Sequence, residues 1–224
     1  MASTVNNPLF DTCVSYGQLG LSAYLPKAVT HAFEHTQANA VHGDYYEFGL
    51  YAGCVFHHAQ QEASRLGMTD MRFWGFDSFQ GLPEVLASDH AVGFNTGDYS
   101  CSRDIVEKLL NRFGVDWSRV QLIEGWYNES LTDTLATERG MGPAAVVNVD
   151  CDIYISTVPV LKFIEPLLQS GTVIIFDDWN CFRDTNDGEK RAFGEFLAAH
   201  PEWTTEDLPS VDWCDRSFVM RKRL

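Results

Sequence analysis

Several kinds of feature are missing from this 224-residue chain, and each absence narrows what it does. No apolar run approaches the roughly 18 residues that span a bilayer, which excludes a membrane-crossing helix. Residues 1–13 show no basic stretch followed by an apolar one, so no secretory signal is expected. Basic residues are scarce: 16 Lys and Arg against 31 Asp and Glu leave a net charge of -15. That balance argues against a nucleic-acid partner, because phosphate backbones are met by basic faces. The lone basic cluster, Arg221-Lys222-Arg223, reads as a solvated tail. Six cysteines (13, 54, 101, 151, 181 and 214) include no C-x-x-C pair, which fits neither a zinc ribbon nor a dense disulfide framework. Reduced thiols in a cytoplasmic protein are expected. Repeats and low-complexity segments are absent as well.

What is present is a regular alternation of strand and helix patterns. Strands are expected at 44–48, 71–76, 120–124, 145–149 and 172–176, and a final antiparallel pair at 203–208 and 217–221. Helical spacing covers 25–38, 53–65, 103–113, 131–137, 157–168 and 189–199. The expectation is an α/β fold, a doubly wound and mostly parallel sheet with antiparallel C-terminal strand structure. Residues 1–40 are expected to form an N-terminal helical cap segment on a domain spanning 41–224. Leu25 and Phe33 on its helix could cap a site or pair two subunits as a homodimer. The longest irregular stretch, Ser78 to Ser102, is expected to be a lid, because long loops in compact domains tend to be functional.

Two acidic clusters follow directly on Val/Ile-rich strands. Asp150-Cys-Asp152 comes after Ala145-Val-Val-Asn-Val149, and Asp177-Asp178 after Thr172-Val-Ile-Ile-Phe176. Ligands of open α/β sheets bind at such carboxyl ends. Carboxylates that meet there repel unless they are protonated or hold a hard cation such as Mg²⁺. Asp152 alternates to the other side of the strand end and is given a supporting role.

At the first strand-to-helix junction stands Glu47-x-Gly49-x-x-x-Gly53, where glycine allows a sharp turn and close backbone approach to a ligand. The dehydrogenase fingerprint G-x-G-x-x-G is broken by Tyr51 and Cys54. By itself this motif is equally compatible with a structural tight turn. Asp77 closes the second strand, where doubly wound folds place a ribose-binding carboxylate, although Asp77 or Ser78 could instead cap a helix. Gly125-Trp126 closes the third, where a ring could face an adenine or simply fill the core.

These fragments together resemble the macrocin O-methyltransferase group of class I S-adenosylmethionine (SAM)-dependent methyltransferases. The resemblance runs from about Tyr46 to Trp179, and also rests on Phe76-Asp-Ser-Phe-Gln-Gly-Leu-Pro83, Asp150-x-Asp152-x-Tyr154-x-Ser156-Thr157 and Val173-Ile-Ile-x-Asp177-Asp178. It implies that Glu47, Gly49 and Gly53 surround the methionine part of SAM and that Asp77 binds its ribose, beside Ser78, Gly125 and Trp126. It also implies a Mg²⁺ site made by Asp150, Asp177 and Asp178. Tyr51 departs from the family pattern, and residues 1–40 show no recognisable sugar-selecting region, so the resemblance implies the chemistry rather than a macrolide substrate.

The expected reaction is O-methylation of a small-molecule acceptor in specialised metabolism, with Mg²⁺ orienting and acidifying a hydroxyl. No lysine follows Asp150, so the proton acceptor is sought in Asp150 itself or in His90 and Asp98 of the lid; Tyr51, Tyr99 and Tyr154 are further candidates. His57 and His58 are expected to be packing or surface groups rather than ligands. Two alternatives stay open. One is metal-independent methylation of a carboxylate or phosphonate paired with Lys27, Arg103 or Arg183. The other is a non-catalytic SAM- or nucleotide-binding module.

Overall fold

A computed structural model describes residues 25–183, 185 and 187–223. Alternating residues of the first strand, β1 (Asp44–Phe48), point to opposite faces, so Tyr45 enters one apolar layer and Tyr46 the other. The same alternation in β2 (Phe73–Asp77), β4 (Ala144–Val149) and β5 (Val173–Phe176) gives strands buried on both sides, whereas β3 (Val120–Glu124), at the end of the sheet, leaves Gln121 and Glu124 exposed. These five pair in parallel, and the hairpin β6 (Trp203–Leu208) and β7 (Arg216–Lys222) adds antiparallel at the edge. The order is β3-β2-β1-β4-β5-β7-β6. The expected fold is therefore the observed one, with two antiparallel strands at its end.

Helices cover both faces. On one lie α1 (Leu25–Ala38), α2 (Cys54–Arg65) and α4 (Arg103–Phe113), which contribute Val29, Phe33, Phe56, Val106 and Leu110 to one core. On the other, α7 (Tyr154–Ile164) and α8 (Gly188–Ala199) bring Val160, Phe163, Phe193 and Phe196. Phe33 is fully buried in this subunit, which removes it as a surface for pairing two copies. The side chain of Leu25 lies outside the described residues, as does all of 1–24.

Three elements differ from the sequence expectation. The stretch 78–102 is not irregular throughout: it holds α3 (Ala87–Val92), and Leu82, Val85 and Phe94 form a small core with Ile153 and Phe182. The helix expected at 131–137 is two short ones, α5 (Tyr127–Ser130) and α6 (Leu135–Arg139). Ser130 Oγ donates to the Trp126 carbonyl at 2.9 Å, a side-chain bond that closes the first turn early. α7 begins at Tyr154, three residues ahead of Thr157, and so carries Pro159 in its interior. Thr157 secures that earlier start: its N–H and its Oγ1 both donate to the Ile153 carbonyl, at 3.0 and 2.9 Å.

Candidate active site

The strand order reverses between β1 and β4, and the cavity opens there, as the rule for open sheets requires. The parallel ladder runs one step past each strand end. Gly125 N donates to Asp77 O (3.0 Å), Gly49 N to Phe76 O (3.0 Å), Asp150 N to Phe48 O (2.9 Å) and Asp177 N to Val149 O (3.2 Å). Five residues singled out in the sequence thus stand in one row along the carboxyl edge of the sheet. They border a cavity of about 850 Å³, large enough for a cofactor and an acceptor together.

Gly49 is required here by sterics. Its φ is 94°, and a Cβ built on it would lie 1.7 Å from the Asp150 carbonyl oxygen. Gly53 has a different task. At φ 75° it caps α2, and its vacant side faces Leu110 and Val106 rather than the cavity, which it does not line. Glu47 does line the cavity and is 1% exposed. Burial pushes its carboxyl up to about 8, against the restraining hydrogen bond donated by the Tyr45 hydroxyl.

Asp77 is held by backbone. Its Oδ2 accepts from Leu50 N at 2.7 Å and Tyr51 N at 3.1 Å, and its Oδ1 from Phe79 N at 2.7 Å. A carboxylate offers about four lone-pair sites, so one acceptor position remains for a ligand hydroxyl. Ser78 is spent on its own loop, its Oγ donating to Gly81 O (2.9 Å) and accepting from Gln80 N (3.0 Å). Gly125 and Trp126 line the same wall, and Tyr127 beneath them donates to Phe76 O at 3.2 Å.

The acidic clusters meet. One carboxylate oxygen from each of Asp150, Asp177 and Asp178 lies within 4.8 Å of the others. Burial first, then mutual repulsion, holds the carboxyls of Asp150 and Asp177 well above the usual carboxylate range. Asp152 does not point away from the cluster: it lines the cavity at φ 64°, and burial and then the Asp178 carboxylate hold its carboxyl well above the usual range. The left-handed conformation turns it back, which strand alternation alone could not reveal. Tyr51 (φ 44°) and Tyr99 (φ 57°) also line the cavity in that strained region, their rings edge-to-face at 6.2 Å.

Glu189 was missed. Fully buried at the start of α8, it accepts from Asp178 N at 3.0 Å through Oε2, while Oε1 has no partner. In the sequence an acid in a first helical turn reads only as a match to the helix dipole. Trp213 and Asp212, from the β6–β7 connection, also reach the cavity; nothing in their spacing announced them.

Other candidates are excluded by position. His90 is exposed on α3 with Nδ1 3.2 Å from Asn95 Oδ1, and it does not line the cavity; Asp98, which accepts from Asn95 N, does not either. The helix at 87–92 and the apolar core beneath it turn His90 outward. Tyr154 donates to Glu195 at 2.6 Å on the surface. His57 stacks on Phe113 at 5.0 Å and His58 bonds Thr30, as packing groups do. Among the described residues, no Lys, Arg or His lines the cavity, whereas seven carboxylates do. An anionic acceptor would meet repulsion there, and Arg103 is taken up by Glu107 and Glu124. The expectation of uniformly reduced thiols fails at Cys54, which is disulfide-bonded; spacing alone cannot pair distant cysteines. Cys101, Cys151, Cys181 and Cys214 are free. No helix among the described residues is long and apolar enough to cross a membrane.

Does the cluster suit a hard divalent ion? Its donors are carboxylate oxygens, buried, mutually repelling and without a basic partner, which is the set that Mg²⁺ prefers. The residues fit.

The chain is 31% identical over 157 residues to 8-demethyl-8-(2,3-dimethoxy-alpha-L-rhamnosyl)-tetracenomycin-C 4'-O-methyltransferase of Streptomyces olivaceus, covering 66% of this chain and 58% of that one. It is 30% identical over 159 residues to mycinamicin III 3''-O-methyltransferase of Micromonospora griseorubida, covering 66% and 60%. The match thus spans less than two thirds of either relative's own length. The structure of the O-methyltransferase NovP superposes with a TM-score of 0.75 at 22% identity, over 88% of this chain and 79% of that one, which shows a common fold. The macrocin O-methyltransferase (TylF) family profile matches residues 24–219, and the chain belongs to that family.

Proposed function

We propose that this protein is a SAM-dependent O-methyltransferase acting on a hydroxyl of a small molecule in specialised metabolism, with Mg²⁺ held by Asp150, Asp177 and Asp178. The observation that carries this is the single row along the sheet edge: a sterically obligatory glycine, a carboxylate with one free acceptor site and a carboxylate trident all face one cavity. When bound, SAM supplies the electrophilic methyl group and the ion supplies Lewis acidity and a fixed point for acceptor oxygens.

The remaining work falls to the chain. Glu47, Gly49 and Asp77 hold the cofactor against the β1 edge, with Gly125 and Trp126 as the adenosine wall. Tyr51 and Tyr99 narrow the cavity and exclude water. Asp150 takes the hydroxyl proton on a carboxylate oxygen. Pro26, at the start of α1, lines the cavity, which supports residues 1–40 as its cap. The names of the two curated relatives point to glycosylated antibiotics, so a vicinal diol on a sugar is the acceptor class to try first.

The test is calorimetry with SAM followed by turnover of a panel of vicinal diols, in Mg²⁺ and in EDTA. We expect SAM to bind with or without metal, and turnover to stop in EDTA and return with Mg²⁺. No SAM binding would overturn the proposal. Turnover that survives both EDTA and Asp177→Asn would remove the metal from it. Tight SAM binding without transfer to any acceptor would leave a binding module.

A further inference from the structure

Two cysteines far apart in sequence meet beside the trident. Cys181 lies in the turn after β5, and Cys214 in the connection between β6 and β7. The two segments are laced together: Asn180 N donates to Cys214 O at 3.1 Å, and Asn180 Nδ2 to Trp213 O at 2.8 Å. Asp215 braces the second segment by accepting from Val211 N (3.1 Å) and Asp212 N (2.5 Å). Cys181 Sγ donates to Asp178 Oδ1 at 3.0 Å. One ligand atom from each of Asp178, Cys181 and Cys214 lies within 4.8 Å of the other two, and all three side chains are partly exposed.

We infer that Cys181, Cys214 and Asp178 form a second cation site, selective for a thiophilic divalent ion such as Zn²⁺ and distinct in donor chemistry from the carboxylate trident. Thiolates select zinc-like ions over magnesium, whereas an all-oxygen set favours magnesium. Zn–S bonds of about 2.3 Å put tetrahedral ligands a little under about 4 Å apart, so side-chain rotation suffices to close the triad on an ion. Asp178 and Cys214 line the cavity, which leaves a fourth coordination position open to water. Binding releases one proton from each thiol to solvent, and the surrounding carboxylates favour the incoming charge.

Asp178 is common to both sites. A thiophilic ion therefore withdraws one carboxylate from the trident and inhibits methyl transfer; this consequence, unlike the site itself, rests on the proposed function.

The test titrates the protein, with the Cys54 disulfide intact and Cys181 and Cys214 as free thiols, with Cd²⁺ in excess Mg²⁺ and follows the thiolate-to-cadmium charge-transfer absorption. The expected result is a band that saturates at one ion per chain. Cys181→Ser and Cys214→Ala should each weaken Cd²⁺ binding at least about tenfold. Cys101→Ser, a buried thiol outside the triad, should leave the band unchanged, and so should Asp177→Asn, which removes a trident ligand that the triad does not use. Circular dichroism of each variant reports folding. Absence of a band in the wild-type protein overturns the inference without reference to any variant, and so does a band that survives both substitutions. Because the readout is absorption, its failure is separable from failure of the methyltransferase proposal.

Discussion

The two edges of the sheet each bury aspartate, and they treat it in opposite ways. At the amino edge, Asp44 is 5% exposed and fully met: Arg72 Nη2 donates at 2.8 Å, Trp74 Nε1 at 2.9 Å and Gly142 N at 3.0 Å. At the carboxyl edge, Asp150, Asp152, Asp177 and Asp178 face one another with Glu189 behind them, and among the described residues no basic side chain lines the cavity. A buried carboxylate without a counter-charge costs several kcal/mol unless it is protonated or paired. The first edge is complete in the chain alone and belongs to stability. The second lacks a counter-charge within the chain, which is what the proposed function fills with a cation.

The largest expected effect tests the second edge. Asp150→Asn should lower kcat about 10³-fold, as expected for losing a positioned proton acceptor, while SAM affinity by calorimetry changes little. It should also raise the unfolding midpoint of the metal-free protein, because a buried carboxyl that resists ionising is replaced by a neutral amide. Turnover near wild type would erase the functional distinction between the edges. The next effect belongs to the first edge. Asp44→Ala leaves Trp74 Nε1 and Gly142 N without an acceptor, and we expect about 3 kcal/mol of lost stability in chemical denaturation. Arg72 adds little to that figure, since its side chain is 41% exposed and stays hydrated. Turnover per folded molecule should be retained; a matching loss of kcat would mean that the amino edge also serves the chemistry.

Much of this was legible in the sequence, for reasons that can be named. Strands β1, β3 and β6 begin and end where the apolar patterning puts them, and the acidic clusters stand out because each directly follows a buried strand. Anything that depends on which way a turn folds was not legible. Gly53 looks like a ligand glycine, yet it faces Leu110; Asp152 looks outward by alternation, yet a φ of 64° brings it in. Distant partners were hidden as well. Glu189 reaches Asp178 and Cys214 reaches Cys181 only because α8 and the β6–β7 connection pack against the β5 turn. His90 reads as a lid residue because its stretch is polar and rich in Gly and Asp, while the core of Leu82, Val85 and Phe94 becomes visible only with Phe182 beside it.

The smallest effect sharpens the contrast through pH. Glu47 lies between the two edges along β1, and its carboxyl titrates at about 8 in the fold against an ordinary 4.5. A raised carboxyl keeps its proton in the fold at pH values where the unfolded chain has lost it. Its favourable contribution is therefore complete below about 4.5 and is lost as pH rises through about 8, by up to about 1.4 kcal/mol per pH unit. Urea denaturation in EDTA should show stability falling across that window, and Glu47→Gln should flatten the slope. The Tyr45 hydroxyl donates to Glu47 and favours its ionised form, so Tyr45→Phe should move the carboxyl higher still. Its cost, about 1 kcal/mol, should appear mainly near about pH 9, where the wild-type group is ionised, and be smaller near about pH 5. Equal slopes in the wild-type protein and Glu47→Gln would show that Glu47 is already ionised in the fold, paired within the chain as Asp44 is.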